Sequence, residues 1–274
     1  MELTNTSFDN YELLQSNNSI MIKYKGNRIK MEDYHLTLLY KNIQIFGIFD
    51  GHGGNLLSKT LPTLLEPIHK LVYQFYKKSI NKETFTNQIN QQNIYIDKYF
   101  IKPSYKNQGS TLHLLYITPG SSIILINVGD SKSIIVHKNN IILETIQHRP
   151  SHYIEYDRII RNGDNVSRNE NTIRINNKLS VSRSFGDFRY KYINNKYNGL
   201  ESTVSVDSDI YVIDIEQNSY IIMASDGLWD NVSQEYIINT IQLYKNMEII
   251  IKYLLNRVLL EGSNDNITII IIKL

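Results

Sequence analysis

The sequence predicts an α+β sandwich, two buried antiparallel sheets with helices outside. Two observations carry this. Runs rich in Ile, Val and Tyr are apolar continuously rather than alternately, as in strands buried on both faces. Other segments space their apolar residues three and four apart, as amphipathic helices do.

In chain order, residues 1–17 are polar and aperiodic and read as a tail or a loose first strand. Strands are expected at 43–49, 112–118, 122–128, 133–137, 220–224 and 266–274. Gly129-Asp130-Ser131 reads as a hairpin turn between two of them. From Asn55 to Tyr76, Leu57, Leu61, Leu64, Leu65, Ile68, Val72 and Phe75 share one helical face. Further helices are expected at 84–100, at 151–163 with an Asn-Gly stop, from Ser233, and from Met247 to a stop at Gly262. The polar stretch 164–178 reads as a solvated loop or a flap.

The 274 residues make one large domain or two small ones, and no repeat or long linker divides them. Hydrophobic content of 42% and charged content of 20% are globular values. Asn, Ile, Lys and Tyr are abundant and Gly and Pro scarce, which reads as compositional drift without functional meaning. A net charge of +2 gives no pull toward nucleic acid or anionic membrane. The absence of cysteine excludes disulfides, zinc–thiolate sites and thiol nucleophiles. The N-terminal stretch lacks the pattern of a signal peptide, Glu2 excludes N-myristoylation, and no apolar run has spanning length. An intracellular protein, cytoplasmic or nuclear, is expected.

Carboxylates recur where buried strands begin or end. Asp50 in GIFDGHGG, Asp130 in NVGDSKS and Asp226 in MASDGLWD follow apolar runs, with Asp230 one turn beyond Asp226. Asp265 in GSNDNITII precedes another, and Glu32-Asp33 precede HLTLLY. Any single Asp-Gly here is ordinarily a turn. Converging on one site, such acids repel unless cations neutralise them, and oxygen donors without cysteine select hard ions, Mg²⁺ or Mn²⁺. Two such ions form the hydrolytic centre of many phosphatases and nucleases. Arg28, four residues before Glu32, has the fork that matches phosphate, and His52, two past Asp50, can protonate a leaving oxygen. Arg28 as a surface arginine and His52 as a turn histidine remain the plain alternatives.

Eight motifs in register resemble the metal-dependent protein phosphatases of type 2C: GNRIKMEDYH (26–35), FDGHGG (49–54), GST (109–111), INVGDSK (126–132), QHRPS (147–151), KLSVSRSFGDF (178–188), SDGLWD (225–230) and GSNDNITIIII (262–272). The resemblance implies one catalytic domain over 18–274. It would be a central β-sandwich of two antiparallel sheets flanked by helices on both sides, with a binuclear metal centre at one end. It implies hydrolysis of phosphoserine and phosphothreonine in proteins by a metal-bridging water, with no phosphoenzyme. Asp50 would bridge two Mg²⁺ or Mn²⁺ ions, and the Gly51 carbonyl would bind the first. Glu32, Asp226 and Asp265 would complete the second. Asp33 and Asp230 would lie close, and Asp130 would match a weaker third-metal site. Arg28 would bind the substrate phosphate, His52 would act as general acid, and 164–178 would be the flap. VSRSFGDF and Trp229 read as structural.

Gln147 replaces a usual Asp, and Ser180 and Phe185 replace Ala and Leu; none removes a core ligand. Phosphorylated proteins are the expected partners, with neither nucleic acid nor membrane, and a monomer is expected. A pseudophosphatase binding module is the alternative, opposed by the full ligand set. A two-metal nuclease is opposed by the lack of a basic stripe.

Overall fold

The computed structural model describes residues 11–120, 122–169 and 172–274. Residues 11–15, assigned to a tail or loose strand, form β1 (Tyr11–Gln15), which pairs with β2 (Ser19–Tyr24). The ordered sandwich thus starts earlier than residue 18; residues 1–10 of the expected tail lie outside the described residues. β3 (Tyr34–Tyr40) and β4 (Ile43–Phe49) form a hairpin, followed by the short β5 (Gly51–His52).

The single amphipathic face expected over 55–76 is broken into α1 (Leu56–Thr60), a 3₁₀ turn (Leu61–Leu64) and α2 (Glu66–Tyr76). Pro62 and Pro67 each sit in the first turn of the piece they open, where a missing N–H costs least, and each ends the preceding helix. α3 (Lys82–Tyr99) starts at Asn81, whose side chain accepts from the Thr84 N–H.

Next come β6 (Gly109–Ser110), β7 (Leu112–Ile117), β8 (Ser122–Val128), β9 (Lys132–His137), β10 (Asn140–Glu144) and α4 (Tyr153–Arg161). The stretch 164–178 is not simply loop: β11 (Val166–Asn169) and β12 (Thr172–Ile175) pair as a hairpin. β13 (Phe185–Gly186), β14 (Tyr192–Ile193), β15 (Lys196–Tyr197), β16 (Asp209–Asp214), β17 (Tyr220–Ala224), α5 (Asp226–Trp229), α6 (Gln234–Leu243), α7 (Met247–Leu260) and β18 (Ile267–Lys273) complete the chain.

The strands form a six-stranded sheet, β1-β2-β18-β17-β9-β10, and a five-stranded sheet, β16-β8-β7-β4-β3, all pairings antiparallel. Met21, Phe46, Ile48, Leu115, Leu125, Ile135, Met223 and Ile270 pack between them. The outer face of the five-stranded sheet packs on α1–α3 through Phe49, Leu57, Ile68 and Phe85. That of the six-stranded sheet packs on α6 and α7 through Ile22, Ile237, Leu254 and Ile269. With helices outside both sheets, the central strands are buried on both faces, which explains their unbroken apolar runs.

One expectation is overturned. Gly129-Asp130-Ser131 does not close a hairpin, because β8 and β9 lie in different sheets. The turn carries the chain from one layer to the other. Gly129 takes φ 117°, and a Cβ there would collide with the Thr111 side chain.

Topology sets the position of the acids. β4 and β8 flank β7 antiparallel to it, so they run in the same direction and their C-terminal ends leave the sheet at the same edge. Asp50 and Asp130 follow those ends. In the other sheet Asp226 follows the C-terminal end of β17, and Asp265 precedes its antiparallel neighbour β18.

Candidate functional site

Asp50, Asp130 and Asp226 each offer a carboxylate oxygen within 4.8 Å of the others. Thr111 fixes two of the three. Its N–H donates to the Asp50 carbonyl (2.9 Å), and its Oγ1 accepts from the Asp50 N–H (3.0 Å) and bonds Ser131 Oγ (2.9 Å). Gly51, next in the chain, has no room for a Cβ, which would collide with the Glu32 carbonyl and Ser58 Oγ. Ser58 Oγ donates to that carbonyl at 2.5 Å, so α1 anchors the loop carrying Glu32.

The charges are in conflict. Burial, then Asp33, Asp226 and Asp130, push the Asp50 carboxyl well above the usual range. Burial, then Asp130 and Asp230, do the same to Asp226. Asp130 is raised by burial, against the pull of Arg149. Such a cluster of oxygen donors is suited to hard cations.

The other expected residues surround it. Arg28 Nη2 pairs with Asp265 Oδ2 at 2.8 Å, half-exposed at the rim, and both line the cleft. Glu32 is near in the chain fold, but its carboxylate is outside the close group of three. Its N–H donates to Asn266 Oδ1 (2.7 Å), and Asn266 Nδ2 donates to the carbonyls of Lys25 (2.7 Å) and Lys30 (3.2 Å). Asn266 thereby fastens the Arg28–Glu32 loop to the start of β18. Asp33 is buried and accepts from Ser225 Oγ (2.9 Å) and Thr268 Oγ1 (2.7 Å); burial raises it to about 6. It braces β17 and β18 beside the cluster. Asp230 accepts from Arg149 Nη2 at 2.6 Å.

Arg149, in the QHRPS motif, had no assigned role in the sequence reading. It also approaches Asp130 (3.7 Å) and Asp226 (3.9 Å), so it is the protein's own cation in the cluster. Gln147 donates to the Asp130 carbonyl at 2.8 Å, holding the turn that presents Asp130.

His52 Nε2 shares a 2.7 Å hydrogen bond with Asp187 Oδ2, which also accepts from Ser184 Oγ (2.6 Å). Burial lowers the His52 pKa, but the Asp187 charge and hydrogen bond outweigh it, and the net shift is upward. Asp187 is shifted downward: burial alone would raise it, but His52 prevails. Gly109 makes the pair possible, since a Cβ there would collide with both side chains. Behind them Lys191 and Asp97 are fully buried: Asp97 accepts from Lys191 Nζ (3.0 Å), the Tyr197 hydroxyl (2.7 Å) and the Gly186 N–H (2.7 Å), while Lys191 also donates to the Ser184 carbonyl (2.6 Å).

VSRSFGDF therefore reaches the site through Asp187, while its Arg183 is bound to buried Glu155 of α4. Trp229 packs as expected, its Nε1 donating to the carbonyls of Lys132 and Ala224. The cleft over the acids has a volume of about 300 Å³, and Arg174 of β12 also lines it.

The family model described as Protein phosphatase 2C matches residues 18–267. The chain is 27% identical to human Protein phosphatase 1B over 272 residues, covering 90% of this chain and 55% of that one. It thus spans about half the length of that relative. It is 30% identical to bovine Protein phosphatase 1L, covering 94% of this chain and 73% of that one. The crystal structure of a phosphatase from a pathogenic strain of Toxoplasma gondii superposes with a TM-score of 0.81 at 18% identity, covering 96% of this chain and 95% of that one.

Proposed function

The chain belongs to the protein phosphatase 2C family, and on that premise we propose that it hydrolyses phosphoserine and phosphothreonine in proteins with the help of divalent cations. The observation that carries this reading is the close group Asp50, Asp130 and Asp226, one buried and two half-buried, with oxygens within 4.8 Å. Holding carboxylates so close is unfavourable without added positive charge, and an all-oxygen donor set favours Mg²⁺ or Mn²⁺.

Asp50 would bridge two ions, with the Gly51 carbonyl, Glu32, Asp226 and Asp265 completing their sites and Asp130, Asp33 and Asp230 serving a third ion or outer support. Bound there, the cations would offset the carboxylate charge and activate water for attack on phosphorus.

The chain's own groups do the rest. Arg28 would hold the phosphate. Its exposed pair with Asp265 is worth about 1 kcal/mol at most, so its guanidinium exchanges readily to a dianion. His52, its pKa raised by Asp187 against the effect of burial, would give a proton to the departing seryl or threonyl oxygen. With Nε2 engaged by Asp187, the proton on Nδ1 is the one free to leave. Asp187 is then a positioning residue. We place the activity inside the cell, cytoplasmic or nuclear; no helix among the described residues is long and apolar enough to cross a membrane.

The test is phosphate release from a phosphothreonine peptide with Mn²⁺, then with EDTA. Turnover that stops on chelation is expected. Turnover that survives it contradicts the proposal, and tight binding of the phosphopeptide without turnover would make the chain a binding module.

A further inference from the structure

A second cavity, of about 710 Å³, adjoins the acid cleft. His52, Lys178 and Leu179 line both, so a chain seated with its phosphate in one passes directly into the other. The second cavity differs in chemistry. Its walls carry Lys106, Lys178 and Arg189, with Phe188, Tyr190 and Tyr192. Its one carboxylate among the described residues, Asp187, is already taken by His52 and Ser184. No ion pair among the described residues involves Lys106, Lys178 or Arg189; Arg189 instead lies over the Tyr190 ring at 5.8 Å. Three exposed cations with no acidic partner among the described residues surround an aromatic floor beside the proposed proton donor.

We propose that this cavity is a specificity site for an acidic residue, Asp or Glu, of the substrate protein, within about three residues of the phosphorylated one. The reach follows from size, since a cavity of that volume accommodates roughly three extended residues at about 3.3 Å each. The cations supply charge complementarity, and the aromatic rings accept the stem of the acidic side chain or an apolar neighbour. Because the cavity adjoins the cleft at His52, the preference falls on one side of the phosphoresidue. The inference rests on the phosphatase reading of the adjoining cleft.

The experiment uses phosphothreonine peptides in an alanine frame, with Glu, Lys or phosphoserine placed at each of three positions on either side. Turnover and fluorescence-anisotropy binding are both read, and p-nitrophenyl phosphate serves as a substrate without flanking residues. For Glu over Lys on one side only, the expected preference is about tenfold, the sum of several weak exposed charge contacts. It declines with salt. The double variant Lys106→Glu/Arg189→Glu abolishes or inverts it while p-nitrophenyl phosphate turnover is unchanged. Equal rates and affinities for Glu and Lys peptides would overturn the proposal, as would a preference that survives charge reversal. A phosphoserine arm favoured more than tenfold over Glu would overturn the carboxylate assignment. If neither the phosphothreonine peptides nor p-nitrophenyl phosphate is hydrolysed, the phosphatase reading fails, and the Glu-to-Lys ratio in binding still decides whether the cavity selects acidic chains.

Discussion

Asp187 sits at φ 50°, in the left-handed region, with its carboxylate between His52 Nε2 and the Ser184 hydroxyl. Asp187→Asn removes the charge that raises the His52 pKa. It should lower turnover of a phosphothreonine peptide by about 10²-fold, the low end of general-acid effects, and leave Mn²⁺ affinity unchanged. His52→Ala should match it, and combining the two should add little, since they act as one unit. Collapse of metal affinity in either variant would make His52 a ligand instead. Farther back, Lys191→Met leaves the Asp97 charge buried without its cation and should destabilise the fold by about 3–5 kcal/mol in chemical denaturation. A change under 1 kcal/mol would show that the pair is dispensable. Asp50 and Asp226 were legible because an acid directly after an apolar run is conspicuous. Asp187 was not, because its partner lies 135 residues away. Arg149 escaped for the same reason: its three carboxylates come from two sheets and a helix.

Among the elements, the turn after β8 shows how a pattern can be right in kind and wrong in topology. Two apolar runs joined by Gly-Asp-Ser look like a hairpin, yet β8 and β9 belong to separate sheets. Burial on both faces erases the alternation that would have assigned each run to a layer. Gly129→Ala forces a Cβ into Thr111 at φ 117°. It should cost about 2 kcal/mol of stability and reduce turnover by moving Asp130; an unperturbed melting midpoint would refute the account of this turn.

Abundant asparagine, read as drift, has a structural use. The pairs Lys41-Asn42, Lys138-Asn139, Asn176-Asn177 and Asn194-Asn195 all have positive φ. Three of them join the hairpins β3/β4, β9/β10 and β14/β15. Asparagine tolerates that region where glycine is scarce. The helix over 55–76 was legible as one apolar face, while its breaks follow from Pro62 and Pro67, which leave the apolar spacing intact.

Across the whole molecule, the two sheets are tied together by buried polar groups as well as by apolar packing. His113 on β7 bonds Asn127 of β8 through Nδ1 (2.8 Å) and Ser133 of the opposite sheet through Nε2 (2.6 Å). His69 on α2 bonds the Tyr116 hydroxyl through Nδ1 (2.9 Å). Burial lowers both histidines from 6.5 to about 4. Between those values the unfolded chain binds the extra proton and the folded one does not. Stability therefore rises with pH through this window and is lost on acidification, by about 3 kcal/mol per histidine. Unfolding free energies at pH 7 and pH 4.5 should show a smaller loss for His69→Phe than for wild type; an identical loss would contradict this. Taking the difference between the two proteins separates the effect from the cleft acids, whose raised pKa values act with the opposite sign. The α+β sandwich and the acidic cluster at its end were legible because the apolar runs and the acids adjoining them recur together, and the motifs added their order along the chain.

Everything proposed for this chain depends on the acids at the end of the sandwich forming a cation site. Calorimetric titration of the metal-free protein with Mn²⁺ at pH 7 tests it most directly, in wild type, Asp50→Asn and Asp226→Asn. At least two ions should bind the wild type, and each variant should lose at least one site. Absence of binding to the wild type, or identical titrations for all three proteins, would contradict it.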